Sequence, residues 1–358
     1  MKICFIAPAN NYHTKKWCNW FLNRGHEIHV ISFIDEMIPD VFVHYIDAKV
    51  QIDGTDFAKV RYLCYAHKIK KFVSEINPDI VHVHYATSYG TATALSGIKP
   101  YILSVWGSDI YDFPEKSFLH KLMLKYSLSG ATYLFSTSKA MAVQAAKYTK
   151  KHFKITPFGV DMKLFHPGLK IKNNETYVIG TVKGLSDKYG IEYLLKAVAI
   201  IKKERPGLPL QVRIAGKGPK EQDYKQLAEQ LQINNIVMWL GFISQKEAAL
   251  EWANMDIAVI PSTMESESFG VSAVEAEACG TPVIISDVAG LMEATDPSKT
   301  SIVVKRKDEF ALAYAIMNLI DNETLRYEMG RNGRLFVQKH FDLDQCFSKI
   351  ERFFYEIR

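Results

Sequence analysis

Residues 256–286 read DIAVIPSTMESESFGVSAVEAEACGTPVIIS. An apolar run, Ile257–Ile260, stops at Pro261, and a polar loop follows over Ser262–Ser268. Small and apolar residues then run from about Phe269 to Gly280, where Pro282 ends them and a second apolar run, 283–286, begins. Short apolar runs bounded by Pro and Gly read as strands buried on both faces, and a glycine followed by a proline is a helix stop. The stretch is one strand–helix–strand unit. Gly270 at the helix start lets backbone approach a ligand closely, and the unpaired first-turn N–H groups favour an anion there. Four glutamates sit on this frame. Glu267 stands at the loop mouth and Glu275 inside the helix, while Glu275 and Glu277 are two apart and cannot face the same way. Glu267 and Glu275 are the expected site carboxylates; Glu265 and Glu277 are expected at the surface. The plainer alternative makes all four surface charges on a helix whose start favours acids anyway.

The same alternation runs outward in both directions. KICFIAP, EIHVISF, DIVHVHY, YILSVWG and TYLFSTS are strands of the first half, and YVIGTV, LQVRIAG, NIVMWLG, DIAVIPS and PVIIS are strands of the second. Between them lie helical stretches such as FAKVRYLCYAHKIKKFVSEI, FLHKLMLKYSLSGA, YGIEYLLKAVAIIKKE, KEQDYKQLAEQLQ and SQKEAALEWANM. Continuous apolar strands alternating with helices imply parallel sheets covered on both faces. The segment ITPFGVDMKLFHPG breaks the period at Pro157, Gly159, Pro167 and Gly168, and the polar LKIKNNET follows it. The expected fold class is α/β, with two doubly wound Rossmann-like domains facing each other across an interdomain cleft. The first is placed at 1–166, the second at 167–341, and an amphipathic helix over 342–358 returns to the first. Ligands of such sheets bind at the carboxyl ends of the strands.

The chain has 358 residues, of which 48% are hydrophobic and 23% charged. That is a globular composition, long enough for two cores. No apolar run reaches the ~20 residues of a membrane-spanning helix. The N-terminal MKICFIAPANNYH has too short an apolar run for a signal peptide and reads as the first buried strand. Five scattered cysteines without a Cys-x-x-Cys pair suggest reduced thiols and a cytoplasmic protein. Residues 1–166 hold 20 Lys and Arg against 13 Asp and Glu, a surplus of +7; residues 167–358 hold 24 against 26, or −2; together these give the +5 of the chain. A basic first half points to an anionic partner (phosphates, an acidic glycan or a membrane surface) or else to a solvated lysine-rich face.

GTVKGLSDKYGIEYLLKA places Lys183 and Lys188 on a Gly- and Ser-containing loop between a strand and a helix. Two compact cations there suit a diphosphate and would stabilise a leaving group that gains charge. Taken singly, each is an ordinary surface lysine. The loop is not a Walker A sequence, and PANNYH after the first strand is not Gly-x-Gly-x-x-Gly, so nicotinamide and flavin binding have no support. The loops of the second domain show no metal-ligand cluster such as Asp-x-Asp.

ESFGVSAVEAEACGTPVI resembles the Glu-x7-Glu signature of the GT-B-fold, retaining glycosyltransferase family 4 (glycosyl transferases group 1). TPFGVDMKLFHPG is similar to that family's interdomain segment, VRIAGKGP to its GxGP turn, and VMWLGFIS, EWANMDIAVIPS and DIVHVHY to further segments in order. The C-terminal half matches strongly and the N-terminal half in pattern only. The resemblance implies that Glu267 is catalytic and contacts the sugar near the reacting carbon. It implies that Glu275 holds the ribose hydroxyls, and that Phe269, Gly270 and Val271 offer backbone N–H groups to the sugar or distal phosphate. Lys188 corresponds to the diphosphate lysine, and Lys183 stands where the family usually has arginine, keeping the charge without the bidentate fork. Gly216, in the GxGP turn, joins them on the donor side.

The chain departs from the family at two places. The first loop reads Ala9-Asn10-Asn11-Tyr12-His13-Thr14 where many members have Gly-Gly, so Asn10 and His13 become candidates on the acceptor side. His13 equally reads as a cap for a helix beginning at Thr14. Trp106 occupies the position where many members have histidine, and Ser108 and Asp109 follow in the same loop. Asp109 is entered with Glu267 as a catalytic candidate, and Ser108, Trp106 and His84 as acceptor or cleft candidates; His84 also reads as a core histidine.

The implied activity is retaining transfer of a hexosyl unit from a UDP- or GDP-sugar to a hydroxyl of a glycan or lipid-linked acceptor, in polysaccharide or glycoconjugate biosynthesis. No metal and no cofactor are expected, and no nucleic acid partner. KSFLHKLMLKYSLSGA combines Lys116, Lys121 and Lys125 with Phe118, Leu119, Leu122 and Met123, which fits either a core-packed helix with a lysine face or peripheral contact with the inner face of a membrane. The alternatives are another GT-B enzyme, such as a nucleotide-sugar epimerase or a phosphorylase, and a non-catalytic sugar-nucleotide-binding subunit.

Overall fold

The computed structural model of the chain describes residues 1–49, 60–171 and 175–358. The chain forms two compact units, Met1–Pro157 with Phe347–Arg358, and Phe158–Cys346. In the first unit the order is β1 (Lys2–Ile6), α1 (Tyr12–Leu22), β2 (Glu27–Ser32), β3 (Phe42–Tyr45), α2 (Ala66–Ile76), β4 (Ile80–His84), α3 (Ser88–Ser96), β5 (Ile102–Val105), α4 (Ser108–Tyr111), α5 (Phe118–Gly130), β6 (Tyr133–Ser136), α6 (Lys139–Ala145) and β7 (Phe153–Ile155). The second contains β8 (Tyr177–Val182), α7 (Ile191–Glu204), β9 (Leu210–Ala215), α8 (Glu221–Gln230), β10 (Val237–Gly241), α9 (Gln245–Asn254), β11 (Ile257–Ile260), α10 (Val271–Ala278), β12 (Val283–Ser286), α11 (Ala289–Ala294), β13 (Ser301–Val304), α12 (Glu309–Asp321) and α13 (Glu323–His340). A last helix, α14 (Leu343–Ile357), rejoins the first unit from Phe347 onward. The stretch read as helical over 57–76 is a 3-10 turn, Val60–Tyr65, followed by α2; its first three residues, like 172–174 of the polar segment after Pro167, lie outside the described residues.

Both sheets are parallel. The strand order is β3-β2-β1-β4-β5-β6-β7 in the first and β10-β9-β8-β11-β12-β13 in the second. Each order runs outward in two directions from its first strand, so it reverses between β1 and β4 and again between β8 and β11. The carboxyl ends of strands at such a reversal leave a crevice open to ligand, because the connecting helices depart on opposite faces. The three strands the sequence does not announce, β3, β7 and β13, all lie at sheet edges and are three or four residues long. An edge strand need not be apolar on both faces, so the continuous hydrophobic run that marks a central strand is missing.

Local chemistry sets the helix ends. Asn11 caps α1 by accepting from the His13 N–H at 2.8 Å, so the helix begins at Tyr12 and the cap is Asn11 rather than His13. Ser117 and Ser244 cap α5 and α9, the latter in a reciprocal box with Glu247. The boundary between the units falls at Pro157, earlier than the 166 read from the sequence. Phe158 packs on Phe269 with ring centroids 6.0 Å apart, and Val160 pairs with Asp342, so this segment belongs to the second unit despite its Pro and Gly punctuation.

The C-terminal helix is part of the first core. Phe347 packs on Trp17 at 4.7 Å, and Phe354 stacks on Phe21 at 5.3 Å and 14°. Glu351 accepts from Arg24 at 2.9 Å and lies 2.7 Å from His26 Nε2. We expect Phe354→Ala to cost the first unit about 3–5 kcal/mol, the usual loss for emptying a buried phenylalanine site. It should shift that unit's urea transition to lower denaturant; an unchanged transition would show that the helix is dispensable.

Candidate functional site

The loops after β8 and β11 are neighbours because the strands are, and they meet at the reversal of the second sheet. Lys183, just past β8, donates to Glu267 Oε1 at 2.8 Å, with side chains only 10% and 7% exposed. Burial pulls the lysine's pKa down, but the Glu267 carboxylate outweighs it and the pKa is raised, so the ammonium stays charged. Lys188 donates to the Ser266 carbonyl at 2.8 Å. The Tyr189 ring lies 4.8 Å from the Lys183 ammonium and 5.4 Å from that of Lys188. Two cations are thus gathered on one aromatic face beside one carboxylate.

The surrounding backbone is fixed to this arrangement. Thr263 donates its hydroxyl to the Asp187 carbonyl and its N–H to that of Lys188, both at 2.8 Å. Ser272 Oγ, on the first turn of α10, donates to the Val182 carbonyl at 2.9 Å and ties that helix start to the end of β8. Gly270 precedes α10 at φ 78° with no side-chain cap, and a Cβ there would lie 2.7 Å from Leu291 Cδ2. Gly216 has φ 138°, and a Cβ on it would lie 1.8 Å from the Lys183 carbonyl oxygen. Both glycines are therefore demanded by close packing around the lysine loop. The Phe269 ring is buried against Phe158 and Phe341, so only backbone of that residue is available to a ligand.

The four glutamates divide differently from the sequence expectation. Glu265 is the half-exposed one, paired with Arg306 at 2.6 Å. Glu275 is buried and accepts from the Trp252 indole N–H at 3.3 Å, while its charge also acts on Lys183. Glu277 is not at the surface: it is fully buried, and among the described residues neither carboxylate oxygen has a hydrogen-bond partner. The nearby Thr300 hydroxyl is committed to the Asp296 carbonyl. Residues Ser272–Ala278 are all buried, so α10 has no outer face, and Gly333 makes room for Glu277, a Cβ there lying 3.0 Å from its Cγ. Burial pushes the Glu277 pKa well above that of an ordinary carboxyl.

In the first unit a cavity of about 460 Å³ opens at the carboxyl ends of β1, β4 and β5, lined among others by Asn11, Tyr85, Ser88, Ser108 and Asp112. Asp109 is buried in the wall of this cavity. Its carboxylate accepts from the N–H groups of Ala86 (2.9 Å), Gly107 (2.8 Å) and Trp106 (3.1 Å), spanning the loops after β4 and β5. It therefore holds these two loops together. Its neighbour Tyr85 holds φ 76°, a strained conformation for a tyrosine, with its ring 5.2 Å from Trp106.

His84 lies in the core beneath. It is fully buried among Trp106, His82, Trp17 and Phe5, neither ring nitrogen has a hydrogen-bond partner among the described residues, and burial pushes its pKa down to about 3. Trp106 and His13 form part of the same cluster, their rings 5.7 Å apart, and Asn10 is exposed. Of the expected acceptor residues, Ser108 alone lines the cavity. Asn11, Tyr85, Ser88 and Asp112 were not anticipated, although each follows closely on a strand end. A larger concavity of about 1110 Å³ in the second unit, lined by Tyr177, Asp256, Pro282 and Arg331, opens at the amino ends of the strands, away from the lysine pair.

Residues 166–336 match the family model described as glycosyl transferases group 1, and residues 2–138 match the one described as glycosyl transferase 4-like. The two models together take up most of the chain, which belongs to this glycosyltransferase family. An uncharacterized glycosyltransferase of Methanocaldococcus jannaschii is 27% identical over 92% of this chain and 90% of its own. The N-acetyl-alpha-D-glucosaminyl L-malate synthase of Bacillus anthracis is 24% identical over 93% and 90%. A D-inositol 3-phosphate glycosyltransferase of Arthrobacter sp. is 30% identical over 59% of this chain and 52% of its own. The fold matches sucrose-phosphate synthase from Thermosynechococcus elongatus (TM-score 0.85, 19% identity, 100% and 99% of the chains). It also matches Anabaena HepE in complex with UDP-glucose (0.77, 18%, 99% and 100%). The protein is a glycosyltransferase of the GT-B type.

The buried Glu277 has a measurable consequence. With its folded pKa above the unfolded value near 4.5, the folded state holds a proton the unfolded state has lost, so the group's contribution to stability is full below that value and falls as pH rises. Glu277→Gln removes this loss. The melting temperature of the variant relative to the unmodified protein should climb from pH 5 to pH 8; a constant difference would mean that folding does not shift the Glu277 pKa.

Proposed function

We propose that the protein is a retaining, family 4 hexosyltransferase acting without a metal, which moves a hexosyl unit from a UDP- or GDP-sugar to a hydroxyl of a glycan or lipid-linked acceptor. The observation that carries this reading is the buried Lys183–Glu267 pair at the sheet reversal, with Lys188 and the uncapped start of α10 beside it. The donor belongs to the second unit in this reading. Lys183, Lys188 and the N–H groups of Gly270 and Val271 receive the diphosphate, Glu275 the ribose and Glu267 the sugar. Gly216 shapes the lysine loop.

The chemistry follows from charge. The bond from the anomeric carbon to the diphosphate oxygen breaks, the electron pair leaves with the nucleoside diphosphate, and the acceptor oxygen bonds to the same carbon from the face the diphosphate leaves, its proton passing to a diphosphate oxygen. The leaving group gains negative charge, which two ammonium groups and a helix start would stabilise in a site that excludes water. Without donor, Glu267 neutralises Lys183. A diphosphate takes over that partner, leaving the carboxylate facing the sugar, where positive charge develops. That HepE is seen with UDP-glucose supports a uridine nucleotide as the first donor to test. The acceptor belongs to the cavity of the first unit, with Ser108 among its polar contacts, and the place of work is the cytoplasm at the inner face of a membrane.

Lys183→Met should weaken UDP binding by about 10- to 100-fold, the worth of a charge-assisted contact, when read by calorimetry. Glu267→Gln should lower turnover at least about hundredfold while UDP still binds, since only the transition state loses its partner. Turnover near that of the unmodified protein would remove Glu267 from the mechanism. Free nucleoside diphosphate should form from donor only when an acceptor is present; release without acceptor, or epimerised donor, would replace transfer by another reaction.

A further inference from the structure

The longest stretch of the chain without an acidic residue runs from Lys116 to Val160 and contains eight lysines: Lys116, Lys121, Lys125, Lys139, Lys147, Lys150, Lys151 and Lys154. All eight are exposed. Lys151 donates to the carbonyls of Ser129 and Ala131, and Lys154 lies over the Phe353 ring at 3.8 Å. The other six spread over the surface around α5 and α6. They surround α5, a helix with two different apolar sides. Its inner side, Leu124 and Leu128, is fully buried in the core. Its outer side shows Phe118 at 75% exposure, Leu119 at 64%, Leu122 at 44% and Tyr126 at 46%, and Val143 on α6 adds another at 70%. Scattered exposed apolar side chains are normal, but four on one helix face, set among Lys121 and Lys125, are not scattered.

Between the ends of α5 and α6 lies an open hollow of about 590 Å³ lined by Lys125, Tyr126, Ser129, Lys147, Tyr148 and Lys150. Lys121 lies over the Tyr148 ring at 6.0 Å, and Lys147 donates to Gln144 at 2.5 Å. Glu115 stands at its margin, accepting from the Tyr148 hydroxyl at 3.4 Å. Three lysines therefore line the hollow, with that carboxylate beside them.

We propose that this face docks on an anionic lipid bilayer: Phe118, Leu119 and Leu122 enter the interface, and Lys125, Lys147 and Lys150 receive a lipid phosphate. Exposed apolar side chains beside a basic cluster are what an anionic interface rewards, since burial and charge attraction act together there. Nucleic acid would use the lysines and leave Phe118 and Leu119 in water. The cavity at the ends of β1, β4 and β5 is lined by Lys116, His120 and Met123, so the segment that carries this face also forms one wall of that cavity. An acceptor held in the bilayer would reach the cavity along that wall; this last step rests on the transferase reading, whereas the docking itself does not.

The test uses the full chain without sugar nucleotide, sedimented with vesicles of phosphatidylcholine alone or mixed with phosphatidylglycerol. Binding should require phosphatidylglycerol and weaken as salt rises. Lys125→Ser with Lys150→Ser should reduce it by about 25-fold, on the order of fivefold per lysine. Phe118→Ser with Leu119→Ser should reduce it by at least about tenfold. Both variants should keep the circular dichroism and melting temperature of the unmodified protein, because all four side chains are exposed. Equal binding to neutral vesicles, unchanged binding by either double variant, or displacement from vesicles by single-stranded DNA with no preference for lipid would overturn the proposal. Because no donor is present, failure here leaves the transferase reading untouched, and loss of transfer activity leaves this one untouched.

Discussion

One buried ion pair organises the second unit. Lys183 and Glu267 come from loops 84 residues apart in sequence and meet at 2.8 Å because their strands, β8 and β11, are neighbours across the point where the sheet order reverses. Such a pair is weak evidence for stability, since removing two charges from water costs about what their attraction returns. Its consequence is constraint. Neither partner can leave unless another charge of the right sign arrives, and the surroundings are built to hold both in place. Gly216 closes on the Lys183 carbonyl, Thr263 stitches the two loops, and Ser272 draws the start of α10 against the end of β8. The result is a concentrated positive charge whose resident counter-ion is a single carboxylate.

The first unit answers the same topological question with a different chemistry. Its reversal lies between β1 and β4, and a buried acid, Asp109, again joins loops that follow neighbouring strands. Here the partners are three backbone N–H groups, those of Ala86, Trp106 and Gly107, and Tyr85 beside Ala86 holds a strained conformation. The second unit gathers two cations at its reversal, whereas the first opens a cavity walled by aromatic and hydroxyl side chains together with Asp112 and Lys116.

The parts legible in the sequence were those whose physical signal is local. Central strands are buried on both faces and must be apolar throughout, so the nine of them could be read from their composition, and the apolar edge strand β10 with them; β3, β7 and β13, also at edges, could not. The turn glycines and the lysine loop were legible because backbone conformation and charge mark them directly. The division of the glutamates was only half legible. Spacing shows that Glu275 and Glu277 point differently, but it does not show that a second layer, carrying Gly333, covers the side Glu277 faces. The backbone contacts of Asp109 were illegible for a related reason. A carboxylate after a strand end is equally suited to ligand and to loop backbone, and the N–H groups of Ala86, Trp106 and Gly107 reach it from two different loops.

The charge asymmetry also changes meaning once it is located. The first 166 residues carry 20 basic and 13 acidic side chains, and eight of the basic ones fall within 116–160, leaving 12 against 13 elsewhere. The surplus is thus the property of one segment, not of the whole half. It does not sit where a nucleoside diphosphate is read to bind, because Lys183 and Lys188 belong to the second unit, whose half of the sequence is slightly acidic. Within the described residues, positive charge is kept in two separate places for two kinds of anion. One place is buried and balanced by a carboxylate, which suits a small ligand that must be gripped and released. The other is exposed and mixed with apolar side chains, which suits an extended surface that attracts through many weak contacts.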